Sequence, residues 1–149
     1  MNWRAIGLTI VLVVAACGSQ AGGASNPTPS MAQIPFAMKA VNNSGVTGDG
    51  AITKMSGKFI VTVKLMGLVA KSSHMSHIHL GSCANGSSDI AITLENVIAD
   101  SDGVGKATTT ISHPYSVASA GWYVNVHVGP DFTKAEYVEG IACGDLTAG

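Results

Sequence analysis

Beyond residue 35 the chain alternates apolar and polar positions in short blocks. The clearest block is Lys58 to Met66, where Phe59, Val61, Val63 and Leu65 alternate with Lys58, Ile60, Thr62 and Lys64. A period of two is that of a strand with one buried face. Similar blocks recur at Phe36 to Val41, Val46 to Met55, Ser76 to Leu80, Ile90 to Val97, Gly105 to Ser112, Trp122 to Val128 and Val138 to Cys143. Turn-forming clusters separate them: Asn42-Asn43-Ser44-Gly45, Ser56-Gly57 and Asp100-Ser101-Asp102-Gly103. Gly48 and Gly50 interrupt the second block and predict a bulge or bend. One helical turn is expected between His113-Pro114 and Gly121. Seven or eight short strands without a convincing helix predict an all-β sandwich or Greek-key barrel. The pattern fills one domain, residues 34–149, long enough to bury a real core.

The first 33 residues break this pattern. Arg4 precedes the apolar run Ile6 to Ala16, which is too short to span a bilayer and reads as an export signal. The run ends in Val14-Ala15-Ala16-Cys17, similar to the bacterial lipobox, whose cysteine is acylated and becomes the first mature residue. Residues 1–16 are thus expected to be a signal peptide and Cys17 a lipidation site. Residues 17–33, rich in Gly, Ser, Ala and Pro without charge, read as a flexible tether. Two acyl chains would hold the protein on the outer face of a bacterial membrane without a spanning helix.

Composition narrows the function. Without Arg4 the chain carries 7 basic and 9 acidic residues, a net charge of −2. No basic patch or stacking platform speaks for nucleic acid. The mean hydropathy of +0.33 is owed partly to the export signal. With Cys17 lipidated, Cys83 and Cys143 are left, and in an oxidising compartment they can pair or stay as two buried thiols. No triad order and no phosphate loop is present.

The chemistry concentrates on histidine. His77 and His79 lie two apart in Ser76-His77-Ile78-His79-Leu80, and a strand points both to one face, away from Ile78 and Leu80. In Trp122-Tyr123-Val124-Asn125-Val126-His127-Val128, Asn125 and His127 share a face opposite Val124, Val126 and Val128. If the two strands neighbour each other, three imidazoles converge, a donor set that suits copper or zinc. Asn125 is then placed to support a ligand rather than to be one. Met66 and Met75 offer a thioether nearby, and His74, of opposite parity, is a fourth candidate ligand or else a solvated loop residue.

In their order and spacing these segments resemble the copper/zinc superoxide dismutase family and the related chordin-type (CHRD) domains. Val46-Thr47-Gly48, Met66-Gly67-Leu68, Ser76-His77-Ile78-His79 followed by Cys83, Asn125-Val126-His127 and Ile141-Ala142-Cys143-Gly144-Asp145-Leu146 carry the resemblance, which covers about residues 36–146. It implies a Greek-key, immunoglobulin-like β-sandwich, a Cys83–Cys143 disulfide, and copper held by His77, His79 and His127. The chain also departs from the family. Between Ala84 and Ser112 it has no histidine to bridge copper and zinc; His113 precedes a proline, and Asp89, Asp100 and Asp102 stand alone, so no zinc is expected. Where the family places an active-site arginine this chain has Gly140, flanked by Glu139, with Lys134 the nearest substitute. Two functions follow. One is an exported, membrane-anchored copper protein that dismutates superoxide or acts on another small molecule. The alternative is a non-catalytic CHRD-like extracellular module or copper-holding protein.

Overall fold

A computed structural model describes residues 32–149. Residues 1–31, which include the expected signal peptide, Cys17 and nearly all of the tether, lie outside the described residues. Eight strands follow: β1 (Gln33–Ala40), β2 (Thr47–Met55), β3 (Lys58–Met66), β4 (Ser73–Leu80), β5 (Ile90–Ala99), β6 (Gly105–Ile111), β7 (Trp122–His127) and β8 (Gly140–Leu146). All pairings are antiparallel, and the order β1-β2-β3-β6-β5-β4-β7-β8 closes on itself. The fold is therefore the expected all-β Greek-key type, with β3→β4 and β6→β7 as crossovers.

The closure is uneven. Only Lys39↔Cys143 and Ala40↔Ala142 pair β1 with β8, and only Ile98↔Lys106 and Ala99↔Gly105 pair β5 with β6. Two four-stranded sheets thus face each other across two narrow seams, which is why barrel and sandwich both describe the molecule. Between them lies one core. Ile52, Phe59, Leu65, Ile78, Val97, Val124 and Val126 are fully buried there. The alternation in β3 has its expected meaning, since Phe59, Val61, Val63 and Leu65 all point inward.

Several sequence expectations are corrected. Gly48 and Gly50 make no bulge: β2 keeps an unbroken register with β1 and β3. The glycines instead make room, because a Cβ at Gly48 would strike the Lys64 carbonyl and one at Gly50 the Phe36 ring. The stretch from His113 to Gly121 contains no helical turn. It is irregular and closes in a turn where the Gly121 amide donates to the Ala118 carbonyl, and Tyr115 in it packs edge-on against Phe59 and donates its hydroxyl to the Thr147 carbonyl at 2.6 Å. Among the described residues the one 3₁₀ turn lies at Ala135–Val138, so the last strand starts at Gly140 rather than Val138. In the β1–β2 turn Asn42 and Asn43 both take left-handed backbone angles (φ 52° and 56°), a conformation asparagine tolerates better than most residues.

Candidate metal centre

Strand β4 is buried on both faces. Ser76 and Ile78 point into the barrel. Met75, His77 and His79 are also buried, yet stand outside the hydrophobic core on the outer face. Strand β7 repeats this, with Trp122, Val124 and Val126 in the core and Tyr123 and His127 buried on the outside. The register His77↔Asn125 and His79↔Tyr123 lays the two outer faces side by side. Two segments cover them: the loop between β4 and β5, and the connection between β7 and β8.

His77, His79 and His127 come together there. Each offers a ring nitrogen such that all three atoms lie within 4.8 Å of one another, and among the described residues this is the one such group of three or more. His77 Nδ1 and His127 Nε2 are 3.3 Å apart. Two imidazole donors about 2.0–2.1 Å from a common ion at a tetrahedral angle are themselves about 3.3 Å apart. His127 Nδ1 donates to the Val138 carbonyl at 2.7 Å, which fixes the tautomer and leaves the Nε2 lone pair facing the cluster. Asn125 Nδ2 stands 3.4 Å from the same Nε2. Both ring nitrogens of His79 are buried without a hydrogen-bond partner. Backbone groups of Ser87, Ser88 and Asp89 face that ring and partly offset its burial, but none reaches hydrogen-bond geometry.

All three imidazoles are held neutral. Burial is the main cause for each, and the neighbouring imidazoles add to it for His77 and His79; His77 is pulled down to about 4, while His79 and His127 are lowered. Neutral imidazole is the form that ligates a metal. The rings are also bracketed by aromatics. Tyr123 stacks on His79 (centroids 5.3 Å apart, planes at 20°) and Phe132 on His77 (5.4 Å, 14°). Over them lies a cavity of about 390 Å³, lined among others by His79, His127, Tyr123, Asn125, Phe132 and Val138. No side chain that lines it carries a formal charge.

The other candidates fall elsewhere. His74 is buried within β4 rather than solvated in a loop, and it stands outside the cluster. A register shift lies between His74 and Ser76. Its Nδ1 donates to the His127 carbonyl at 2.9 Å, and Nε2 shares a 2.6 Å contact with the Ser72 hydroxyl. Met66 is half exposed at the end of β3, whereas Met75 is buried beside the site. His113 is exposed and packs on Phe59. The Asp100 carboxylate caps its own turn, accepting from the Asp102 and Val104 amides. Lys134 reaches over the Tyr137 ring at 4.8 Å. A Cβ at Gly140 would stand 2.8 Å from Asn125 Oδ1, so Asn125 takes the space a side chain there would need. Tyr123 shares the parity of Asn125 and His127 and was open to the same reasoning; Phe132, on an irregular segment, gave no periodic signal.

The Cys83–Cys143 disulfide is formed, with Cα atoms 5.8 Å apart. It fastens the loop after β4 to β8, and the Cys83 amide donates to the Asp145 carboxylate at 2.7 Å. Such a bond fits an oxidising compartment.

No protein-family model and no curated protein matches the chain. Among solved structures it is similar to the Cu/Zn superoxide dismutase from Brucella abortus, with a TM-score of 0.57 at 21% identity over 78% of this chain and 100% of that one. At that identity the likeness is one of fold: this chain has the β-barrel architecture of a Cu/Zn superoxide dismutase, and on its outer face a three-histidine group able to bind a metal.

Proposed function

We propose that this chain is an exported protein, anchored through lipid on Cys17 to the outer face of a bacterial membrane, that binds copper through His77, His79 and His127. The observation that carries the metal is His79, whose two ring nitrogens are buried and unpartnered. An unpaired polar atom in the interior costs about 1–3 kcal/mol, a penalty that coordination removes for the nitrogen that ligates. The donor set is three neutral imidazoles without a thiolate or carboxylate, which suits copper and also zinc. The absence of a second histidine group among the described residues speaks for one ion rather than two.

The residues divide the work. Val138 and Asn125 orient His127, Tyr123 holds the plane of His79, and burial keeps water and protons off the nitrogens. Bound copper would supply one-electron redox chemistry, and the likeness of fold to a superoxide dismutase is what favours superoxide as the substrate. The uncharged cavity favours a second reading without turnover, a copper-holding or CHRD-like module, because no cation there draws in an anion.

Elemental analysis of the full chain after loading with copper and zinc tests the proposal. One copper per chain is expected, lost in H77A/H127A. Zinc retained in preference to copper, or neither metal retained, would sink it. Dismutation above the level of free copper separates the two readings, and C17S should release the protein from the membrane fraction.

A further inference from the structure

The three histidines of this site are almost wholly buried. His77, His79 and His127 are 3%, 5% and 5% exposed, and the ring nitrogens of His79 have essentially no accessible surface. An ion cannot reach them, or leave, unless some covering group moves. The walls differ sharply in how firmly they are held. Behind the rings stand β4 and β7, hydrogen-bonded to each other and backed by Ile78, Val124 and Val126 in the core. Tyr123, over His79, is buried and pinned by its hydroxyl to the Ser87 carbonyl at 3.0 Å. Gly86 packs so closely against that ring that a Cβ there would overlap it.

Phe132 is the exception. It lies flat on His77 but is 59% exposed. It belongs to a stretch, residues 130–136, that is exposed throughout and joins neither sheet. The ends of the connection are fixed: Met75 N donates to the Gly129 carbonyl, Gly129 N to the Tyr137 carbonyl, and Asn96 Nδ2 to the Pro130 carbonyl. The tip carries a local turn in which the Thr133 amide and hydroxyl donate to the Asp131 carboxylate. None of these bonds involves the Phe132 side chain, so its ring can swing outward without breaking one. The same ring lines the cavity over the histidines, together with the exposed Val138 and Ile90.

We infer that Phe132 is the gate of the metal centre: an aromatic cover whose outward swing sets the rate at which an ion enters and leaves, with little effect on how tightly it is held. The inference rests on the proposed metal site. A phenyl stacked on an imidazole is worth up to about 1.5 kcal/mol, so deleting it should speed opening by roughly tenfold, since about 1.4 kcal/mol is a factor of ten.

The test uses the full chain and its F132A and F132W variants. In the metal-free proteins, carbethoxylation by diethylpyrocarbonate is followed by peptide mass spectrometry, with exposed His113 as the internal reference. F132A is expected to raise the modification rate of His77 and His79 roughly tenfold, and F132W to return it to that of the parent. In the copper-loaded proteins, transfer to an excess of chelator should be faster by a similar factor in F132A, with the dissociation constant changed less than threefold. Modification and transfer rates within twofold of the parent would overturn the gate, as would a loss of affinity that accounts for the faster transfer. If the parent takes up no copper, the metal reading fails by itself, and the carbethoxylation rates still decide whether Phe132 controls access.

Discussion

Replacing His79 by leucine should make the metal-free protein more stable and the metal-loaded comparison less so. A neutral imidazole has one N–H donor and one acceptor nitrogen. In His79 both are buried without partners. Each unmet group costs about 1–3 kcal/mol. Leucine has a similar volume and no polar atom, so H79L removes the whole penalty. Against this stands the loss of the stack on Tyr123, worth about 0.5–1.5 kcal/mol. With each group near the low end of its range, about 1–1.5 kcal/mol, and the stack at about 1 kcal/mol, the net gain is about 1–2 kcal/mol, which for a domain of this size raises Tm by about 4–8 °C. With copper at a hundredfold excess over Kd, the parent gains about 2.7 kcal/mol that the variant cannot, and the order of stability reverses. Thermal unfolding of both proteins, with chelator and with copper, measures all four values. A metal-free H79L that unfolds below the parent would refute the reasoning, because it would mean that the buried nitrogens were not a liability. An unchanged order with copper would refute the ligand role alone.

Acid should destabilise the metal-free protein well above the carboxylate range. His77 binds its proton at about pH 4 in the fold but at about 6.5 when unfolded. The unfolded chain therefore binds more protons between these values, and stability falls as pH drops through the window, by about 3 kcal/mol for His77 at its lower end. Urea titrations from pH 7 to 4 should show this slope, and H77A should lose the His77 share of it, leaving that of His79 and His127. Removing the Cys83–Cys143 bond as C83S/C143S should cost roughly 4 kcal/mol on the chain-entropy model for its span of 60 residues, read as a lower urea midpoint. H74A should cost about 1–3 kcal/mol by leaving the His127 carbonyl unpaired, with copper stoichiometry intact; loss of stoichiometric uptake would place His74 among the ligands.

The strands were legible because each buries one face, which writes a period of two into the sequence. Lys58 to Met66 is the plainest instance, and the same parity set His77 and His79 apart from Ile78. What the alternation could not carry was anything that depends on a crossover. That β4 and β7 are neighbours, so that His127 meets His77, is a property of topology. Local irregularity was also invisible: beside the register shift His74 is a buried ring that parity alone assigns to the wrong surroundings. Gly48 and Gly50 show a third limit. A glycine inside a strand reads alike whether it marks a bulge or clears space for a ring, and only the position of Phe36 decides.

The narrow seams between the two sheets bear on how the molecule can move. The proposed ligands sit on β4 and β7, and the disulfide joins the loop after β4 to β8, so the whole constellation rides on the sheet β5-β4-β7-β8. At each seam only two residue pairs are in strand register with the partner sheet, with a few single bonds beside them, such as Ser44 Oγ to the Ile141 carbonyl and Glu95 N to Thr109 Oγ1. Thermal breathing should therefore run along the seams, as the hinged opening of a shell, with the Val41 amide, bonded across the β1–β8 seam to the Ile141 carbonyl at 3.2 Å, among the first to exchange with deuterium. The three imidazoles would move through such an opening as one body, their spacing indifferent to whether the shell is open or shut.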